Sequence, residues 1–219
     1  MADAAAPKKG NRVLIWCAVG LAVFALSKFV HTDSSADGPP QPLSDPDDGP
    51  PKIFPTTGAE LGYAVPVHVD IPRVGLHADI IRVGLTAARA IDVPPLNQAL
   101  KAGWYDQGVA PGQIGAAVLD GHVDSGEIPA PHQGAFYPLG LVGIGDTVDV
   151  IRADHKVAVY QVDQVESVSK QHFPTNRVYS AVPFAALRLI TCGGDFDFEA
   201  HTYLNNVIIY AHLTGSHAQ

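Results

Sequence analysis

Two residues in this chain have the type and the setting for covalent chemistry. Cys192 stands directly before Gly193-Gly194, and His122 follows Gly121 inside the segment Ala116 to Gly126. A cysteine attacks as its thiolate, and an imidazole held nearby takes the proton or, as imidazolium, lowers the thiol pKa. The two glycines leave the sulfur unobstructed and allow a backbone to come close. On these residues alone a plainer reading stays open. Free cysteines are often buried as small apolar groups, and the chain has ten histidines, any of which can be a surface or hydrogen-bonded one.

The elements that must position them read as strands. Ala186 to Thr191 is a β-branched, apolar run that delivers Cys192 at its end, and Ala116 to Asp120 ends at Gly121 with His122 at its mouth. Val65 to Ile71, Thr147 to Ile151 and Val157 to Val162 alternate apolar and polar residues, while Leu187 to Thr191 and Asn206 to Leu213 are more continuously apolar. Short helices are expected only around Pro95 to Ala102 and Ser180 to Ala186. No internal repeat is seen. Residues 63–219 therefore read as one all-β barrel or sandwich with few helical turns.

Composition narrows the function classes. The chain has 219 residues, 47% hydrophobic and 16% charged, with a formal net charge of -8. From Tyr63 onward 15 acidic residues stand against 9 basic ones, which leaves no basic footprint for phosphates and argues against nucleic acid as a partner. The two cysteines are Cys17, inside an apolar run, and Cys192. They form no disulfide framework, and outside the cell Cys192 is a lone thiol retained for chemistry.

The N-terminal part reads as an address. Residues 1–12 carry Lys8, Lys9 and Arg12, and residues 13–30 are apolar apart from Ser27-Lys28. Basic residues stay in the cytoplasm, so the rest of the chain is expected outside, held by a single-pass anchor with Lys28 snorkelling to the far interface. A cleaved signal peptide has nearly the same layout, but no small-x-small cleavage site follows the run. Residues 31–62 are rich in Pro, Asp, Gly and Ser, and read as an extended tether that lets the following domain search near the membrane.

Taken together, these motifs resemble those of bacterial sortases, especially the actinobacterial class F group, over roughly Val65 to Leu213. The resemblance is carried by Ile71 to Ala78, which is similar to the family's first barrel strand; by Gly103-Trp104-Tyr105; and by Gly121-His122-Val123-Asp124-Ser125. Gly134 to Leu139, Gly145 to Val148, Leu189 to Gly194 and Tyr203 to Ala211 complete it in the same order. Either the His or the Cys motif alone is ordinary; their combination is specific.

The resemblance implies an eight-stranded β-barrel that cleaves an LPXTG-like sorting signal between Thr and Gly. Cys192 holds the acyl group as a thioester. His122 protonates the departing amine and then deprotonates an incoming amine from a cell-wall precursor. No metal or organic cofactor is implied, and a monomer is expected.

The chain departs from the family pattern in having no Arg after Arg188, where sortases place an arginine that holds substrate and oxyanion. Three explanations stand. Asn206 or His201 fills the role, Arg177 or Arg188 reaches in, or the protein is a weak or inactive relative that binds peptides at the cell surface. Arg188 is four residues from Cys192 on the same face of a strand and is expected to be structural or substrate-facing. Asp124 either orients the His122 ring or caps its own turn. Asp195, Asp197 and Glu199 read as a solvated acidic turn rather than a calcium site. The residues that read the signal are expected in loops within Asp163 to Pro183.

Overall fold

The computed structural model describes residues 38–42 and 58–219. The barrel strands are β1 (Pro66–Ile71), β2 (Leu76–Val83), β3 (Ala102–Tyr105), β4 (Gly115–Gly121), β5 (Thr147–Arg152), β6 (Lys156–Ser169), β7 (Ala185–Asp197) and β8 (Thr202–Ala218). They close in the order β1-β2-β3-β4-β7-β8-β6-β5. Closure leaves no unpaired edge. Two pairs, β2 with β3 and β4 with β7, are parallel, and the other pairs are antiparallel.

Strand alternation builds two apolar layers. Val69, Ile71, Leu76, Ala78, Leu119, Val148, Val150, Leu187, Leu189, Val207 and Ile209 fill the barrel interior around buried Trp104 and Tyr160. A second cluster, Val118, Val178, Ile190, Ile208 and Tyr210, lies on the outer face of β4, β7 and β8. Neighbouring positions on one strand thus face opposite layers, Leu189 inward and Ile190 outward, as the two-residue period of a strand requires. Burying a large aliphatic side chain of this kind stabilises the fold by about 1.5–3 kcal/mol.

The packed region reaches back to Leu61, which sits in the interior cluster and donates its N–H to the Gly112 carbonyl at 2.9 Å. Arg152, almost fully buried, donates to the Gly62 carbonyl at 2.6 Å and to Asp154. Five residues of the Pro-rich segment, 38–42, also rest on the barrel: Pro39 is buried and the Gln41 side chain accepts from the Gly194 N–H at 2.9 Å. The expected anchor, residues 13–30, lies outside the described residues. Among the described residues no helix is long and apolar enough to cross a membrane.

Two expectations are corrected. Ile71 to Ala78 is a corner rather than one strand, because Pro72 opens a 3-10 turn and Gly75, at φ +66°, reverses the chain into β2. The helix expected at Ser180 to Ala186 lies earlier, as α1 (Thr175–Tyr179). Pro183 breaks the Ala-rich stretch, and Ala185 and Ala186 are instead buried at the start of β7. A 3-10 turn at Leu96–Gln98 falls within the other expected helical region.

Candidate active site

The parallel ladder between β4 and β7 sets the site. It runs from Gly115 opposite Ala185 to Asp120 opposite Ile190, and one step further the Thr191 hydroxyl donates to the Gly121 carbonyl, 70 residues away, at 2.8 Å. Continuing that constant offset brings His122 level with Cys192. Both therefore stand just past the end of the parallel ladder, on the same outward-facing parity as Asp120 and Ile190. His122 follows the last residue of β4, whereas the strand expected to stop at Cys192 runs on through it to Asp197. On the other side β8 pairs with β7, with Asn206 directly opposite Cys192.

The cleft over this end of the ladder is lined by His122, Cys192, Asn206, Asp120, Lys170 and Tyr179, with Ile91 and Val93 from the β2–β3 connection. Val118 and Ile190 of the second apolar cluster also line it. Cys192 is a free, half-buried thiol. The His122 Nε2 lies 2.7 Å from the Pro94 carbonyl. A carbonyl only accepts, so Nε2 carries a proton and Nδ1 is left as the nitrogen that exchanges one.

Electrostatics in the cleft pull in opposite directions. Burial pushes the Cys192 thiol up; the charge and hydrogen bond of Lys170 pull it down, and Asp124 and Asp120 push it up again. Asp120 is buried, with Oδ1 lacking a hydrogen-bond partner among the described residues. Burial first, then Asp92, holds its carboxyl well above the usual range, against the pull of its own backbone N–H.

Asp124 accepts a hydrogen bond from the Tyr203 hydroxyl, and the His122 hydrogen bond runs to Pro94. Asn206 is buried, donates from Nδ2 to the Thr191 carbonyl at 3.3 Å, and keeps Oδ1 without a hydrogen-bond partner among the described residues. His201 lies in the exposed β7–β8 turn at φ +51° and does not line the cleft. Arg188 is buried beneath the Tyr210 ring, 4.8 Å from its centre, and burial lowers its pKa to about 10. Arg177 pairs with Glu166 at 2.6 Å, and the same carboxylate accepts from the Tyr210 hydroxyl at 2.5 Å. Neither arginine lines the cleft. In the acidic turn, Asp197 accepts from the Glu199 and Ala200 N–H groups and so caps its own backbone.

Two cleft residues carry no signal in the sequence. Lys170 begins the 3-10 turn after β6, where its ammonium donates to the Thr202 hydroxyl at 2.8 Å. It is the one Lys or Arg lining the cleft among the described residues. Asp120 belongs to the His motif's strand, and only its burial makes it unusual.

Fold and cleft together define a closed β-barrel with a thiol and an imidazole level with each other just past the end of a parallel ladder, the layout of a cysteine acyl-transfer enzyme. A family model described as a sortase domain matches residues 69–214, and the chain belongs to the sortase family, whose members are cysteine transpeptidases. Three solved structures share the fold. Sortase A of Listeria monocytogenes is 17% identical with TM-score 0.51, covering 71% of this chain and 90% of that one. Sortase C-1 of Actinomyces oris is 18% identical with TM-score 0.50, covering 67% and 72%. A lid mutant of sortase A from Corynebacterium diphtheriae is 18% identical with TM-score 0.50, covering 68% and 70%. Comparison with curated proteins gave no match.

Proposed function

We propose that this chain is a membrane-tethered sortase of the class F-like type that cleaves an LPXTG-like sorting signal and transfers the acyl fragment to a cell-envelope amine. The observation that carries the reading is the level placement of His122 and Cys192 in one cleft. Cys192 attacks the Thr carbonyl as thiolate while His122, protonated at both nitrogens, gives the Nδ1 proton to the departing Gly amine. An incoming amine then attacks the thioester, its proton returns to Nδ1, and the thiolate leaves. The proton count closes over the cycle.

Lys170 supplies the positive charge that the family takes from arginine. Its ammonium acts on the Cys192 sulfur, and the same charge, close to the carbonyl under attack, stabilises the oxyanion. Asn206, opposite Cys192 in the ladder, adds a neutral amide donor. Residues 13–30 anchor the chain with the barrel on the outer face of a Gram-positive membrane, supported by Lys8, Lys9 and Arg12 ahead of the apolar run.

A second reading is a slow or inactive sortase-fold module that binds peptides. The raised Cys192 thiol favours it, since fewer sulfurs are ionised near neutral pH. Incubating the full-length chain with an LPXTG peptide, with and without a glycine-type amine, separates the two by intact mass. An adduct on Cys192 that the amine resolves into a ligated peptide supports the enzyme. No adduct across a panel of related peptides, with the chain folded, moves the assignment to the binding module.

A further inference from the structure

On the far side of the barrel, two His-x-Asp triplets, His68-Val69-Asp70 and His77-Ala78-Asp79, lie on neighbouring strands. In the antiparallel register of β1 and β2, His68 faces Asp79 and Asp70 faces His77. Val69, Ile71, Leu76 and Ala78 point into the core, so all four polar side chains share the outer face. Each histidine thereby meets a carboxylate from the other strand.

The contacts go beyond two pairs. Asp70 Oδ1 lies 2.5 Å from His77 Nδ1 and 3.3 Å from His68 Nε2. His68, Asp70 and His77 bring one ligand atom each to within 4.8 Å of one another. The other nitrogen of His68, Nδ1, sits 2.8 Å from Asp79 Oδ1. A carboxylate that accepts from one imidazole nitrogen fixes the tautomer and aims the other nitrogen at a metal. A third strand adds to the site: Asp149 on β5 pairs with Asp70 in the ladder, and its Oδ1 is buried without a hydrogen-bond partner among the described residues.

We propose that His68 Nε2, Asp70 and His77 Nδ1 bind a divalent transition-metal ion of the zinc class, with Asp79 orienting His68 and solvent completing the coordination. Two imidazoles and a carboxylate suit zinc in preference to calcium or magnesium, which take oxygen ligands. Tetrahedral bonds of about 2.0–2.2 Å place ligand atoms roughly 3.3–3.5 Å apart. The His68–Asp70 separation of 3.3 Å already has that value, and the His77–Asp70 contact opens as its hydrogen bond is exchanged for a metal bond. The displaced imidazole protons go to solvent. Bridging β1 and β2, the ion ties down the first hairpin of the barrel, on a different face from the cysteine cleft.

The full-length chain, stripped with a chelator and dialysed, is titrated with zinc chloride by calorimetry and with cobalt(II) in a visible spectrometer. One zinc per chain is expected, with a cobalt spectrum of nitrogen and oxygen ligands and a higher thermal midpoint in the presence of zinc. His77→Ala and Asp70→Asn should each weaken zinc at least about tenfold, and Asp79→Asn about tenfold through loss of ring orientation. His77 is largely exposed, so its replacement keeps the fold even where that of the more buried His68 does not; metal-free circular dichroism checks this. The proposal is overturned by an absence of saturable binding, by binding undiminished in both His77→Ala and Asp70→Asn, or by a thiolate-to-cobalt band that assigns the metal to a cysteine.

Discussion

The outer wall of the barrel carries two polar clusters that differ in what covers them. Over β4, β7 and β8, the β6–β7 connection and the β2–β3 connection roof the site, so His122, Cys192, Asp120 and Asn206 sit in a partly desolvated cleft beside apolar Val118 and Ile190. Over β1 and β2 nothing described covers the strands, and His68, Asp70, His77 and Asp79 pair with one another in reach of water. Both arrays come from the same two-residue strand period. Coverage sets what each group meets: burial raises the Asp120 carboxyl and the Cys192 thiol, while the side chains over β1 and β2 pair across the strands. Chemistry is expected at the first site and ion pairing or metal capture at the second.

The comparison breaks most sharply at the nucleophile. Cys192→Ala should abolish the acyl adduct in intact mass, and His122→Ala should lower kcat/KM by about 10²–10⁴. Normal turnover in either variant sinks the assignment of the cleft.

Next in size is the charge beside the sulfur. Lys170→Ala should cost about 10²–10³ in kcat/KM, the usual effect of losing one oxyanion donor, and Lys170→Arg should recover part of it. A structural role alone would not move the alkylation profile of the thiol. Lys170 lowers the thiol pKa, so in Lys170→Ala the midpoint of iodoacetamide rate against pH should shift upward. Asn206→Ala should cost about tenfold, and His201→Ala, in a turn outside the cleft, should change turnover little. If Lys170→Ala is silent in both assays, the missing arginine has no cationic substitute in this cleft.

What the sequence showed and hid follows the same division. Alternation in Val65 to Ile71, Thr147 to Ile151 and Val157 to Val162 located strands because one face of each enters the core. Cys192 and His122 were legible because each is a reactive side chain set beside glycine next to an apolar strand pattern, although β7 does not stop at Cys192 as expected but runs on to Asp197. The level pairing of β4 with β7 was not, since a parallel ladder between segments 70 residues apart leaves no local pattern. Lys170 was hidden for a related reason. It lay within the Asp163 to Pro183 stretch expected to read substrate, but only the observed path of the chain singles it out: Asp163 to Ser169 extend β6, and Lys170 is the first residue beyond it. The corner at Pro72 to Gly75 reads as strand only through the family resemblance over Ile71 to Ala78, although Pro72 and Gly75 are the residues that turn the chain there. The clusters Asp120 with Asp92, and His68 with Asp79, depend on pairing partners that composition does not name.

Asp120 tests the covered side by stability. Its carboxyl is raised in the folded chain, against an unfolded value of about 3.9. Between those two values the native state holds the extra proton, so stability falls as pH rises and the full contribution is present only below the unfolded value. Asp120→Asn removes that dependence. Its thermal midpoint should exceed that of the parent at pH 8 by about 2–4 °C, for a gain on the order of 1 kcal/mol, and the difference should shrink at pH 4. The same change removes a carboxylate that raises the thiol, so the alkylation midpoint should move down.

The smallest effect is expected on the open side. In metal-free buffer, Asp70→Asn breaks contacts to His68 and His77, yet exposed pairs of this kind contribute only about 0.2–1 kcal/mol. The midpoint should therefore fall by no more than about 2–4 °C, and turnover at the cleft should stay unchanged. Added zinc should then raise the parent's midpoint and leave that of Asp70→Asn nearly where it was, because a ligand stabilises a fold only through binding to it. A large metal-free loss would mean that the β1–β2 array is a buried structural network like the Glu166–Arg177–Tyr210 cluster under α1, and the contrast between a covered and an open face of this barrel would no longer hold.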